Sequence, residues 1–363
     1  MLYTTHHYSN NFCKDLRAAC LKDIETGLSF NLVALPGAGI TFFLKSLSQS
    51  DSENYIFINS YEMAQFSRDT FYSQIASKIG VKSQSKSLED ISRKLVEKSN
   101  ELGRLILVFN RIDRLNEIID QNFFDNLRFL RDINRNKINM IFVSSTPIIE
   151  TYGHQIKDLL SLITKTEYFK GYTSKDIKEV YTSIDNQKID NRALKMSGGH
   201  LLLLQVLMRC QNLDRPLSDP MVELVVKDLC NNLTVRHKKI LSGNRTRYNL
   251  PNDDYLFNQG FLKVQKNNEI IIFSPLLEEY INSQNKQHLP VKEKRLLKIL
   301  MQNKDKIVLK DTICDYVWSE NNGIASDWAL NSLIYRLRKH AAFDNSNYTI
   351  ESRKGEGYIL YHN

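Results

Sequence analysis

A glycine turn between two apolar runs carries the first residues suited to chemistry. The sequence NLVALPGAGITFFLKSL, at residues 31–47, is similar to the phosphate-binding pattern G-x-x-x-x-G-K-[ST]. In that pattern backbone N–H groups surround the phosphates, the lysine reaches the terminal oxygens and the hydroxyl holds Mg²⁺. Gly39 and Thr41 match it, whereas an alanine replaces the first glycine and Ile40 replaces the lysine. Gly37, Gly39 and Thr41 are therefore candidate nucleotide contacts, with an ordinary strand-turn-helix as the equal alternative.

A nucleotide-hydrolysing site also needs an acidic residue at the end of an inner strand. The apolar run Leu105 to Phe109 is followed by Asn110, at the position expected for a metal-holding Asp, and Asp113 lies three residues later. Asn keeps the shape of Asp without its charge, so Mg²⁺ affinity should be weak. Asp113 remains a candidate cofactor contact. Residues 144–146, Ser-Ser-Thr, could touch a γ-phosphate, although an ordinary turn before Pro147 is the simpler explanation.

Strands and helices alternate around these residues. The predicted strands are Phe30 to Leu35, Asn54 to Ser60, Leu105 to Phe109, Ile138 to Val143 and an edge strand at Glu167 to Phe169. Helical spacing of apolar residues lies between them, for example at Leu88, Ile91 and Leu95. The alternation predicts a doubly wound parallel α/β sheet, and it places the glycine turn at the carboxyl edge, where such sheets bind ligands.

Composition limits the class of protein. The 363 residues are 42% apolar and 25% charged, which is typical of a folded protein with two to four domains. The five cysteines are scattered without a C-x-x-C pair, so neither a disulfide framework nor a zinc knuckle is expected. No apolar run approaches 18 residues, and we expect a cytoplasmic protein without a membrane partner. The net charge of +8 is compatible with a polyanionic partner, and residues 286–363 hold 13 Lys and Arg against 9 Asp and Glu.

The middle of the chain predicts a helical lid and a first winged helix. The lid, residues 171–215, contains the segment SGGHLLLLQVL at Ser197 to Leu207. Helices then precede a β-hairpin at Gly260 to Pro275, which is the order of elements in a winged helix. The polar segment NSQNKQH, at residues 282–288, is predicted to be a linker.

The C-terminal module predicts a second winged helix. Its third helix, Ser326 to Ala342, has an apolar face at Leu330, Leu333, Ile334 and Leu337. The outward residues are Trp328, Asn331, Ser332, Tyr335, Arg336, Arg338 and Lys339. A hairpin follows whose tip carries two cations, Arg353 and Lys354. A helix of this kind can bind in the major groove of DNA, and a hairpin tip of this kind can contact a phosphate. The alternative is that the charged residues form a solvated helix face, which is the more common case.

Residues 1 to about 285 resemble the P-loop ATPases of the AAA+/STAND superclass, in the group of initiator-like ATPases. The matching segments are ALPGAGIT, LILVFNRIDRL, IFVSST and SGGHLLLLQVL. The resemblance implies ATP or ADP as the cofactor, if any is bound, at Gly37, Gly39, Thr41 and Asp113. The replacements at Ile40 and Asn110, and Leu201 in place of a common proline, predict that hydrolysis is lost and leave nucleotide binding open.

Residues 289–361 resemble the OmpR/PhoB-type winged-helix DNA-binding domain. The matching segments are LPVKEKRLLKIL, LKDTICDYVW, SDWALNSLIYRLRKHA and YTIESRKGEGYIL. The resemblance implies that Trp328, Asn331, Ser332 and Tyr335 face base edges. It also implies that three cations of the helix and those of the hairpin tip contact DNA. These cations are Arg336, Arg338, Lys339, Arg353 and Lys354.

Together the two resemblances imply a sequence-specific double-stranded DNA-binding transcriptional regulator. Four domains are expected: 1–170 ATPase-like, 171–215 lid, 216–284 first winged helix and 285–363 OmpR/PhoB-type winged helix. The ATPase-like domain would serve sensing, oligomerisation or a protein partner, and a homo-oligomer on DNA is expected because one small module buries little DNA. The alternatives are an ATP-driven initiator, loader or transposition-type machine on DNA, and a protein-interaction scaffold.

Overall fold

The chain folds into two compact units, which are described separately. A computed structural model describes residues 7–82, 87–184, 189–231, 233–243, 254–264, 269–287, 290–319, 325–339, 348–353 and 355–362. The first unit comprises Met1–Arg215 and Tyr255–Lys263, and the second comprises Pro216–Asp254 and Val264–Asn363. Within the described residues no helix is both long and apolar enough to cross a bilayer.

The first unit contains a five-stranded parallel sheet, as the alternating pattern predicts. Its strands are β1 (Phe30–Ala34), β2 (Tyr55–Asn59), β3 (Leu105–Asn110), β4 (Ile138–Ser144) and β5 (Lys165–Phe169). Their order is β2-β3-β4-β1-β5, so the predicted edge strand lies at the edge and begins two residues earlier than expected. All neighbouring strands run parallel, and β1, Asn110 and Ser144 therefore end at one edge of the sheet.

Helices cover the sheet on both faces. They are α1 (Lys14–Glu25), α2 (Ile40–Leu47), α3 (Arg68–Ile79), α4 (Leu88–Glu101), α5 (Gln121–Asp132), α6 (Ile148–Tyr152), α7 (Leu159–Leu162), α8 (Ser174–Ile184), α9 (Asn191–Ser197) and α10 (Leu201–Arg209). Phe109 stacks between Phe71 and Phe142, with ring centroids 5.6 and 5.2 Å away. Because both faces of the sheet are covered, β3 and β4 have continuous apolar runs rather than alternating ones.

One buried polar residue fixes the carboxyl edge. Asn31 in β1 donates through Nδ2 to Phe142 O (2.7 Å) and to Ser144 Oγ (2.8 Å). Its Oδ1 accepts the N–H of Ile148, the first residue of α6, at 2.9 Å. The side chain is completely buried, and its three bonds join β1 to β4 and to the start of α6.

The rest of the chain is mainly helical, and of its residues Tyr255–Lys263 belong to the first unit and the others to the second. Its helices are α11 (Pro220–Asn231), α12 (Val235–Ser242), α13 (Asp254–Asn258), α14 (Pro275–Gln287), α15 (Val291–Gln302), α16 (Lys310–Val317) and α17 (Asp327–Lys339). Its strands are β6 (Leu262–Val264), β7 (Ile270–Ile272), β8 (Val308–Leu309), β9 (Tyr348–Arg353) and β10 (Gly357–His362). The last three form a sheet in the order β8-β10-β9, against which α15, α16 and α17 share one apolar core.

Two sequence expectations need correction here. The polar segment at 282–288 was predicted to be a linker. Its residues 282–287 are instead helical, because α14 continues to Gln287. Gln and Lys are good helix formers, so a polar run on a solvated face can remain helical. The two-residue strand β8 was missed, since it is too short to show a period. The turn of the first hairpin at 266–268 and the predicted end of the third helix at 340–342 lie outside the described residues.

Candidate functional site

The glycine turn has the backbone shape that the sequence predicts. Gly37 has a φ of 75° and Gly39 a φ of 93°, in the left-handed region that favours glycine. Gly39 immediately precedes α2, and the turn therefore joins β1 to α2 as a phosphate-binding loop does. Thr41 lies in the first turn of α2 and is exposed, whereas Ile40 is buried.

The lid packs directly on this turn. The N–H of Leu202 in α10 donates to Gly37 O (2.9 Å), and Nε2 of His200 donates to Pro36 O (2.8 Å). The hydroxyl of Tyr172 donates to Gly39 O at 2.7 Å. Three carbonyl groups of the turn are thus bonded to residues that lie more than 130 positions later in the chain. The turn and the lid form one packed structure.

His200 is the residue that joins these two parts most closely. It is 3% exposed, its Nε2 bonds to the turn, and its Nδ1 accepts the N–H of Leu203, which caps α10. This arrangement requires the neutral ring with the proton on Nε2. Burial lowers the pKa of His200 from 6.5 to about 4, while the bond to the Pro36 carbonyl acts in the opposite direction.

A small cavity of about 280 Å³ remains beside the turn. Its lining residues are Leu35, Gly37, Gly39, Ile40, Thr41, Phe42, Tyr61, Asn110, Arg111, Leu201, Leu202 and Gln205. The three candidate contacts of the turn therefore meet Asn110 in one place, as predicted. No carboxylate is among these lining residues, and the charged group present is the guanidinium of Arg111.

Asp113 has a different neighbourhood from the one expected of a cofactor contact. Its Oδ2 accepts the Ser145 N–H (3.1 Å) and hydroxyl (2.5 Å) and pairs with Arg111 Nη2 at 3.0 Å. It is absent from the lining of the cavity. The carboxylate therefore ties the end of β4 to the segment after β3. Ser145 holds this carboxylate, and its role as a phosphate contact stays a prediction.

Sequence reasoning missed two residues at this site, Arg111 and Tyr172. Arg111 follows Asn110 directly and has a φ of 59°, which is unusual for a residue with a Cβ. Its Nε and the Oδ1 of Asn110 are buried polar atoms without a hydrogen-bond partner among the described residues. The position of Arg111 next to the strand end was the available signal. Tyr172 carried none, because only the fold brings it to the turn.

The second candidate site is the outward face of α17. Leu330, Leu333, Ile334 and Leu337 are buried in the winged-helix core, as the spacing predicts. Trp328 is 78% exposed and Tyr335 is 62% exposed. Lys339, in the last turn, is also exposed, and Ser332 is half-buried between them. Trp328, Tyr335 and Lys339 are therefore exposed candidate contacts, and Ser332 is partly accessible.

The other predicted contacts on α17 have partners inside the domain. Asn331 Oδ1 accepts the hydroxyl of Tyr358 at 2.5 Å. Arg336 Nε donates to Oε1 of Glu293 at 2.9 Å, and Arg338 Nη2 donates to the Ile350 carbonyl at 2.7 Å. These bonds link α17 to α15, β9 and β10. They fix the orientation of the helix on the sheet.

The hairpin tip is described in part. Arg353 Nη2 donates to the Tyr361 hydroxyl at 3.1 Å and lies 3.7 Å from Glu351. Gly355 provides the turn, with a φ of 83°. Lys354, the second predicted cation of the tip, lies outside the described residues. The described part of the hairpin places Arg353 on the exposed strand end.

Two family models match the chain. Residues 24–151 match the AAA domain, and residues 284–360 match the C-terminal domain of transcriptional regulatory proteins. The chain joins these two domains. The first match spans β1 to β4 with the glycine turn, and the second spans α15, α16, α17 and the C-terminal hairpin. The AAA-type and OmpR/PhoB-type resemblances are therefore confirmed.

Curated relatives match about a fifth of the chain. The chain is 35% identical over 78 residues to the transcriptional regulator HilA of Salmonella typhi, which is 22% of this chain and 14% of HilA. It is 36% identical over 75 residues to the transcriptional regulatory protein YxdJ of Bacillus subtilis, which is 21% of this chain and 32% of YxdJ. The chain thus matches less than a third of either relative.

Solved structures that are similar to this chain have low sequence identity to it. The Walker-type ATPase of Pyrococcus abyssi is 14% identical, with a TM-score of 0.48, covering 77% of this chain and 99% of that one. The Orc1 protein of Aeropyrum pernix, solved in complex with DNA, is 14% identical, with a TM-score of 0.39, covering 96% of this chain and 88% of that one.

Proposed function

We propose that this protein is a sequence-specific double-stranded DNA-binding transcriptional regulator. The observation that carries the proposal is the exposed face of α17, on a winged helix whose residues match the C-terminal domain of transcriptional regulatory proteins. The two curated relatives, which match about a fifth of this chain, are named a transcriptional regulator and a transcriptional regulatory protein. A helix with its apolar side in the core and its other side exposed is the form that enters a major groove.

The charge around this face supports the same partner. Arg336, Arg338 and Lys339 lie in the last turn of α17, and Arg353 lies at the hairpin tip. Cations at both places can neutralise phosphates on the two sides of a groove, which positions a helix without reading sequence. Because Arg336 and Arg338 also bond within the domain, Lys339 is the cation of α17 best placed for a phosphate.

Lys339→Ala is expected to weaken binding of the full chain to duplex DNA about ten-fold at low salt, since a charge-assisted phosphate contact is lost. The slope of log affinity against log salt should fall by about 1, because one fewer counterion is released. Fluorescence anisotropy with a labelled duplex at several salt concentrations measures both. Lys157→Ala, which removes an exposed cation from the first unit, is the matched control. An unchanged slope for Lys339→Ala would contradict the proposal for this residue.

For the AAA domain we propose a platform for sensing, oligomerisation or a protein partner, without ATP hydrolysis. An adenine nucleotide, ATP or ADP, would contact Gly37, Gly39 and Thr41. The lining of the cavity does not fit a magnesium-bound nucleotide, because it has no carboxylate and no lysine at Ile40. Within the described residues no group of three or more His, Cys, Asp or Glu could hold a metal ion.

Purified protein is therefore expected to release phosphate from ATP no faster than a buffer blank, with or without duplex DNA. A sensitive phosphate-release assay measures this, and Thr41→Ala is the control because its hydroxyl is the remaining Mg²⁺ ligand of the pattern. Turnover that depends on Thr41 would overturn the platform proposal and favour an ATP-driven machine. Binding of ATP or ADP is measured separately by calorimetry, since the proposal allows binding without turnover.

A further inference from the structure

We propose that Trp328 and Tyr335 read thymine methyl groups in the major groove, which gives the protein a preference for A·T pairs. The inference rests on the proposed function, because it requires α17 to enter a groove of duplex DNA. It adds a recognition chemistry and a class of binding site to that function. The observations that carry it are the exposure of the two rings and the internal bonds of their polar neighbours.

The two aromatic side chains share one side of α17. They are seven residues apart, which is two turns of a helix and about 10 Å along its axis. Base pairs are stacked about 3.4 Å apart, so the two rings span about three base-pair steps. Both rings are among the most exposed large apolar side chains of the described residues, at 78% and 62%. Single exposed apolar residues are common on protein surfaces, so the placement of both rings on the candidate DNA-binding face of α17 is what points to a partner.

Three polar side chains beside the two rings have partners within the domain. Arg336 pairs with Glu293, a residue that is only 5% exposed. Turning Arg336 away would leave a buried carboxylate unpaired, which is strongly unfavourable. Arg338 holds the carbonyl of Ile350 in β9, and the amide oxygen of Asn331 holds Tyr358 in β10. Moving either arginine fully into the groove therefore competes with a bond within the domain, although Arg336 uses only its Nε and its side chain remains 58% exposed.

Thymine is the base that fits the remaining surface. Its C5 methyl is the apolar group that a base pair presents in the major groove, and aromatic side chains make contact with it. Covering one methyl group corresponds to about a three- to five-fold gain in affinity. Charge argues for DNA rather than an apolar protein surface as the occupant, since the exposed Lys339 follows Tyr335 by one helical turn and suits a phosphate.

The test begins with the full chain and a library of random duplexes, from which bound sequences are selected. Uracil then replaces thymine at each position of the recovered site, which removes only the methyl group. We expect two positions, about three steps apart, at which uracil weakens binding about three- to five-fold. Trp328→Ala should abolish the uracil effect at one of them and Tyr335→Ala at the other. Tyr335→Phe keeps the ring and should retain both effects.

The possible failures are distinguishable. If a specific site is recovered but uracil changes affinity nowhere, or if the site lacks thymine, the methyl-reading inference is wrong and the proposed function stands. If a folded protein selects no sequence, the proposed function fails and this inference fails with it. Thermal melts of the alanine variants show whether they fold, and both positions are exposed, so their melting temperatures should match the parent protein.

Discussion

Gly39→Ala is expected to lower the free energy of unfolding of the first unit by about 3 kcal/mol. Two causes add. The φ of 93° is strained for any residue with a Cβ. In addition, the new Cβ would lie 2.8 Å from Leu201 Cδ2 and 2.9 Å from Tyr172 Cε2, which is too close for carbon atoms. The loss should appear as weaker protection of β1 and β4 in hydrogen exchange measured by mass spectrometry in increasing urea.

Gly27→Ala is the matched control for this prediction. Gly27 has a similar φ of 77°, but an added Cβ would meet no atom within 4 Å. Its cost should be the backbone strain alone, about 1–2 kcal/mol. Leu201→Ala should itself lower the stability because Leu201 is buried, but in that background Gly39→Ala should cost less than it does in the parent protein, since the nearest clash is removed. Equal costs for the two glycines would show that the lid does not pack on the turn as described.

The lid packs on the glycine turn, and the phosphate-binding pattern in the sequence predicts the turn but not this packing. The sequence predicts the turn itself well, because Gly37 and Gly39 lie between an apolar run and an amphipathic helix. It also predicts that Ile40 and Asn110 remove charge from the site. It does not predict that Tyr172 and His200 bond to the turn, since 133 and 164 residues separate them from their partners. Contacts at that separation depend on the complete fold.

The same limit applies to the C-terminal module. Helical spacing predicts which residues of α17 face the core, and burial confirms it. Spacing also places Arg336 and Asn331 outward, where they resemble DNA contacts. Their partners, Glu293 and Tyr358, lie 43 and 27 residues away and on other elements, so the pattern of one helix gives no sign of them. A charged residue on the outward face of a helix can contact DNA or bond to another element of its own domain. The sequence of the helix does not distinguish these two cases.

The predicted linker at 282–288 illustrates a different limit. Composition alone distinguishes a polar loop from an apolar helix, but it does not distinguish a loop from the solvated end of a helix. Here α14 is anchored by Leu276, Leu277, Tyr280 and Ile281, which are all buried. Once an apolar first half fixes a helix, each further residue adds a backbone hydrogen bond at little cost. The polar residues therefore extend the helix that the apolar ones begin.

A pH-dependent loss of stability is expected from His200. Burial lowers its pKa to about 4 in the folded protein, whereas an unfolded histidine has a pKa of about 6.5. Between these values the unfolded chain binds a proton that the folded chain does not. Stability is therefore present in full above pH 6.5 and falls as the pH is lowered towards 4, by up to about 1.4 kcal/mol per pH unit.

His200→Asn separates this effect from the other groups that titrate in acid. Asn can still accept the N–H of Leu203 and cap α10, but it does not titrate. The variant should lose about 1 kcal/mol at pH 7.5 because the bond to Pro36 is weakened. Its stability should then fall less steeply than that of the parent between pH 6.5 and 4.5, in urea unfolding followed by hydrogen exchange. His154 is exposed, so His154→Asn should keep the steep parental profile. If both variants gave that profile, His200 would not be the neutral group that joins the lid to the turn.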